Sequence, residues 1–180
     1  MKVNKYVKDY RIIEEFDEKG KVHTSTEYIG DNYFFTGVDG KIDSRGRKCL
    51  AAVFICAAAY IFSLIFETSA MHTLVTSLLY AFCAVPLFIL TESAVRVLKI
   101  RIPMERRQAE KISNTFPPAA LFLGVMSLGA VFSDAVCIMN GMTAVTGPDI
   151  LLIVCAVAVS ALSFWIFASR ESFKTVKAPV

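Results

Sequence analysis

Asp134 is the only acidic residue well inside any of the long apolar stretches of this 180-residue chain. Counted from Ala119, it lies about 15 residues into its stretch, or roughly 22 Å across a 30 Å hydrocarbon core. An ionisable group at such depth is costly, and its natural chemistry is to hold a cation or proton facing a helix bundle. The competing reading is an early helix end: Ser133, Asn140 and Gly141 flank it and would leave the carboxylate at the outer headgroups. A second pair, Glu92 and Arg96, stands four apart with the acid first, the order that favours an ion pair on one helix face. This pair reads as a salt bridge at the membrane interface, because a gate or carboxylate-binding site would need a further base nearby. Arg106, Arg107 and Lys111 form a third group on the polar side of a weakly amphipathic segment, suited to lipid headgroups or to a docking partner.

Nucleophile and metal chemistry find less support. The five cysteines, Cys49, Cys56, Cys83, Cys137 and Cys155, include no CxxC, and the two histidines, His23 and His72, are assigned to opposite sides of a membrane. No metal site and no cofactor is implied. Cys137 and Cys155 fall on neighbouring stretches at similar depth, so a disulfide is conceivable, although buried cysteines more often serve as small packing residues. No paired acids, nucleophile–base couple or phosphate-binding loop is visible, which leans against an enzyme.

The elements that carry these residues are unusually plain. Hydrophobic residues make up 55% of the chain and mean hydropathy is +0.54, which excludes a disordered chain and an ordinary soluble domain. Four stretches approach the roughly 20 apolar residues needed to span a bilayer: Cys49 to Phe66, Met71 to Val97, Pro118 to Met139 and Ile150 to Ser169. Without the alternation of barrel strands they read as helices, so the fold class is an all-α integral membrane protein of four transmembrane helices. Residues 1–48 contain no apolar signal-peptide core, so the first helix is expected to direct insertion.

Of the 19 Lys and Arg residues, ten lie in residues 1–48, six in 92–117 and three after Ser169, with none in the other two connections. This is the positive-inside pattern, and it places both termini and the middle connection in the cytoplasm. The net charge of +3 therefore belongs to membrane topology rather than to nucleic-acid binding.

The chain thus divides into residues 1–48, a β-hairpin unit with a basic linker; 49–169, the helix bundle with an elbow helix near 103–116; and 170–180, a tail. In the first part Tyr10, Ile12, Glu14 and Phe16 share one face of a period-2 pattern, and Val22, Thr24, Thr26 and Tyr28 share another. A turn closing at Gly20 joins them into a small cytoplasmic hairpin. Tyr33, Phe34 and Phe35 offer a short third strand. Such a unit has too few apolar side chains to stand alone and must lean on the membrane, the middle loop or a partner. The elbow is expected to begin at Pro103 and to stop at Pro117-Pro118.

Within the bundle, Pro86 could kink the second helix, and the small residues Ala120, Gly124, Ser127 and Ala130 of the third should let it approach Cys155, Ala156, Ser160, Ala161 and Ser163 of the fourth. Phe54, Tyr60, Phe62 and Phe66 give the first helix an aromatic side for lipid or another subunit, and Trp165 suits an interfacial anchor. The functional expectation is a non-enzymatic accessory or scaffolding subunit of a membrane complex. It would contact the lipid bilayer and a membrane or cytoplasmic protein, or another copy of itself. The alternative is a transporter or channel subunit for ions or small solutes, which would need to oligomerise to enclose a path.

Overall fold

The computed structural model describes residues 6–16, 22–37, 41–66, 68–100, 102–141 and 145–178. Four helices dominate it: α1 (Ser44–Ser63), α2 (Leu74–Lys99), α3 (Arg106–Met139) and α4 (Gly147–Ala168). All four are long and apolar enough to cross a membrane. Successive helices pack side by side, α2 on α3, α3 on α4 and α4 back on α1, with a lesser contact between α1 and α2. The result is an up-down-up-down bundle, as short connections between antiparallel neighbours dictate.

Two helix boundaries differ from the sequence expectation for local reasons. Helix α1 begins at Ser44 rather than Cys49, because the Asp43 side chain caps it, accepting from the Gly46 N–H at 2.7 Å. That contribution recruits the supposedly flexible basic segment into the first turn and a half. Helix α3 is a single 34-residue helix, so the separate elbow does not exist: Met104–Glu105 is a short strand, and the helix runs through Pro117 and Pro118 without stopping. Two lost amide donors are offset here by packing immediately before them, where Phe116 is fully buried and stacks on Phe173 with ring centroids 4.3 Å apart. Pro86 likewise lies buried within an uninterrupted α2.

The small-residue contact between α3 and α4 takes the expected form. A Cβ on Gly124 would meet the Phe164 ring at 3.3 Å, and the Ser160 hydroxyl donates to the Gly124 carbonyl at 3.1 Å. Ala156 and Ser163 are buried with it, whereas Ala161 faces outward. Gly141, with φ +67°, provides the left-handed residue just beyond the end of α3.

The remaining elements gather at one end of the bundle. Strands β1 (Tyr10–Phe16) and β2 (Val22–Tyr28) form an antiparallel hairpin in which Tyr10 pairs with Tyr28, Ile12 with Thr26, Glu14 with Thr24 and Phe16 with Val22. The two alternating faces read from the sequence thus meet strand to strand; the turn at Gly20 lies outside the described residues. Strand β3 (Asn32–Phe35) does not extend that hairpin. It is the centre of a second sheet between β4 (Met104–Glu105) and β5 (Thr175–Lys177), both antiparallel to it. Phe35 and Met104 are buried and belong to the main core, which makes this pairing the more favourable one. The tail is consequently structured: a 3-10 turn over Arg170–Phe173 buries Phe173, and Lys177 reaches Asp31 at 2.9 Å.

Candidate functional site

Beneath the hairpin, the ends of α2 and α3 border an open cavity of about 1070 Å³. One face of α2 contributes Phe88, Glu92, Arg96 and Lys99 at helical spacing, and the first turns of α3 contribute Arg107, Lys111 and Ile112. Two groups that the sequence flags separately are therefore brought together. Arg96 Nε donates to Glu92 Oε1 at 2.9 Å, closing the expected i,i+4 ion pair. Both side chains are about half exposed, so solvent screens the pair and it serves mainly to fix the Arg96 guanidinium. Arg106 departs from the group: its guanidinium bonds Glu110 at 2.9 Å and its backbone N–H donates to the Tyr28 hydroxyl at 3.0 Å.

The cavity roof is made by residues the sequence reading missed. Tyr10 donates its hydroxyl proton to Glu105 Oε2 at 2.5 Å, and Tyr6 donates to Glu110 at 3.0 Å. Tyr10 also meets Tyr28 edge to face, centroids 5.3 Å apart. These tyrosines dock the hairpin on the β4–α3 junction. The hydrogen bond to the Glu105 carboxylate, aided by partial burial and the carboxylate charge, pushes the Tyr10 phenol up to about 12. The Tyr28 phenol is raised chiefly by burial. Nothing in the local sequence distinguishes a docking tyrosine from an ordinary strand tyrosine, so only the alternation of the hairpin could have hinted at their shared face.

At the opposite end of the bundle, Asp134 is 1% exposed. The early helix end is not observed, since α3 continues five residues past it to Met139. Neither carboxylate oxygen completes a hydrogen bond with a described residue. Polar groups nevertheless surround it: Thr76 and Ser133 share a hydrogen bond of 2.9 Å beside it, and Tyr80, whose hydroxyl donates to the Leu152 carbonyl at 3.3 Å, lies near. Asp149 acts on it electrostatically but is committed to a capping box, accepting from the Thr146 N–H at 3.0 Å. The Thr146–Asp149 spacing followed by an apolar run was a legible signal for that cap. A buried carboxylate so placed needs a proton or a cation to offset its desolvation.

All five cysteines are free thiols, including Cys137 and Cys155. Among the described residues no group of three or more His, Cys, Asp or Glu side chains could hold a metal ion. His72 sits in the 3-10 turn between α1 and α2, whereas His23 lies on β2 at the sheet end. Tyr60 turns inward to donate to the Tyr80 carbonyl at 2.8 Å, while Phe54 and Phe62 on α1 and Phe66 just beyond its end remain exposed. Trp165 is partly exposed near the sheet end of α4. Comparisons with protein-family models, curated proteins and solved structures return no match.

Proposed function

We propose that the chain is a multi-pass membrane protein whose termini and 92–117 connection face the cytoplasm, and that it works as a non-enzymatic subunit presenting a folded platform to a partner. The observation that carries this reading is the convergence on one end of the bundle of the described parts of three separate polar segments, the segments that in the sequence contain every Lys and Arg. The flanks of the bundle support membrane placement: Phe88 and Phe132 are each 71% exposed, the inverse of a water-soluble surface. Above the docked tyrosines the hairpin projects with Ile12 and Thr24–Glu27 exposed, a surface open among the described residues to meet another protein. Purification in mild detergent after cross-linking tests this. A stoichiometric partner should be retained by the native chain and lost with Ile12→Glu, whose side chain contacts no core. A chain that elutes alone, cross-linked or not, argues against the subunit reading.

A specific observation favours a second reading, an ion- or proton-conducting subunit acting as an oligomer: Asp134, buried and unsatisfied, with hydroxyls beside it. Asp134→Asn keeps size and polarity but removes the charge. Loss of a reconstituted flux in this variant, with normal yield and elution, would replace the subunit reading; a silent change would leave Asp134 a packing residue.

A further inference from the structure

The cavity between α2 and α3 changes character along its length. From Phe88 to Lys99 the α2 face climbs 11 residues, about 16 Å, passing from an exposed ring through the Glu92–Arg96 pair to an amine. Four bases and two acids line the space, and both acids are engaged: Glu92 by Arg96, and Glu105 by the Tyr10 hydroxyl. Among the described residues Lys99, Arg107 and Lys111 form no ion pair. Their charge is reinforced by the start of α3, whose first turn contains no acid and whose N-cap, Glu105, makes no side-chain capping bond. The Arg106 N–H is already taken by the Tyr28 hydroxyl at 3.0 Å, so the helix start favours an anion through its dipole rather than through that donor.

We propose that this cavity binds an anionic phospholipid, its phosphate held by Lys99, Arg107 and Lys111 and an acyl chain laid along Phe88. The proposal rests on the membrane placement argued above. The volume, about 1070 Å³, accommodates a headgroup and part of a chain. A free phosphate would use the same cations but has no use for the apolar end, where Phe88 opens onto the flank of the bundle. The lipid is selected by negative charge at the headgroup, because a zwitterionic headgroup would bring its own cation against three unpaired bases.

Native mass spectrometry of the delipidated protein in non-ionic detergent, titrated with phosphatidylglycerol, phosphatidylcholine or inorganic phosphate, tests the assignment. One phosphatidylglycerol per chain should be retained where phosphatidylcholine is not. The double variant Arg107→Gln/Lys111→Gln should weaken that binding by roughly tenfold or more, given what each base contributes beside an anionic surface. A matched pair at the same end of the bundle, Arg47→Gln/Lys48→Gln, should leave it unchanged. Equal loss in the two pairs would mean a diffuse basic surface and would overturn the proposal, as would equal retention of the two lipids. Displacement of phosphatidylglycerol by inorganic phosphate at similar concentration would make this a free-anion site instead. If the double variant elutes abnormally, the exposed single change Lys111→Gln and the lipid comparison on the native chain decide. A protein that stays monodisperse without any detergent sinks the membrane placement itself, a separately readable failure.

Discussion

Tyr10 shows how much can rest on one hydroxyl. Its bond to Glu105 requires the phenol to keep its proton, and the raised value of about 12 against an ordinary 10 fixes the pH window. The folded group holds its proton more tightly than the unfolded one, so its contribution is complete below pH 10 and disappears as pH rises through about 12. Spectroscopic titration should therefore show a tyrosine component ionising near pH 12, and Tyr10→Phe should diminish that component by one group while the raised Tyr28 phenol stays. The same substitution should loosen the hairpin by about 1 kcal/mol, a charge-assisted bond discounted for its partial exposure, read as faster amide exchange in β1 and β2. Asp134 is the contrasting case. Its residue type and depth were plain in the sequence, yet whether it faced headgroups or core depended on where α3 ended, and that was set by packing around Ala130 and Leu152 rather than by any local stop signal.

At the scale of elements, the α3–α4 seam makes the sharpest forecast. Gly124→Leu would drive a branched side chain into the Phe164 ring, which already lies 3.3 Å from where a Cβ would be. Overpacking of this kind costs about 1–3 kcal/mol, so the variant should melt earlier in detergent, whereas Gly129→Leu, where a Cβ would come no nearer than 3.9 Å to Leu79, should change little. Equal losses would mean that the seam tolerates bulk anywhere. Four apolar helices, their small-residue seam and the register of the hairpin were all legible, because each follows from a period that sequence displays directly. The second sheet was not. Its strands are four, two and three residues long, and β3 pairs with β4 across about 70 residues of chain and with β5 across about 140, so no local pattern announces them. The two prolines misled for a related reason: Pro117-Pro118 is a valid stop in isolation, and only the burial of Phe116 against the tail overrides it. For the cavity, the sequence supplied Arg96, Arg107 and Lys111 but neither Lys99 nor their shared space, since these cations belong to different helices.

For the whole molecule, the one-sided distribution of bases predicts a topology that fusions can read. Reporters placed between residues 64 and 73 or between 141 and 146 should register outside, and reporters at Gly40 and at the carboxyl end inside; one reversed position would defeat the four-span arrangement. Strand β3 adds a consequence in time rather than space. It is synthesised before α1, yet its partner opposite Phe35 is Thr175, 140 residues later and beyond all four helices. At ordinary elongation rates of about 5–20 residues per second, β3 waits roughly ten seconds or more with its β5 edge unpaired while the four helices are made. Closing the second sheet is thus a completion signal: a chain ending at Ser169 should leave β3 open to protease even though all four helices are present, and digestion no faster than that of the full chain would show that β4 alone protects it. On the membrane placement proposed above, a released chain with one helix misinserted would carry the tail to the wrong side and keep that edge exposed, which gives a cell a handle for recognising the failure before the protein is used.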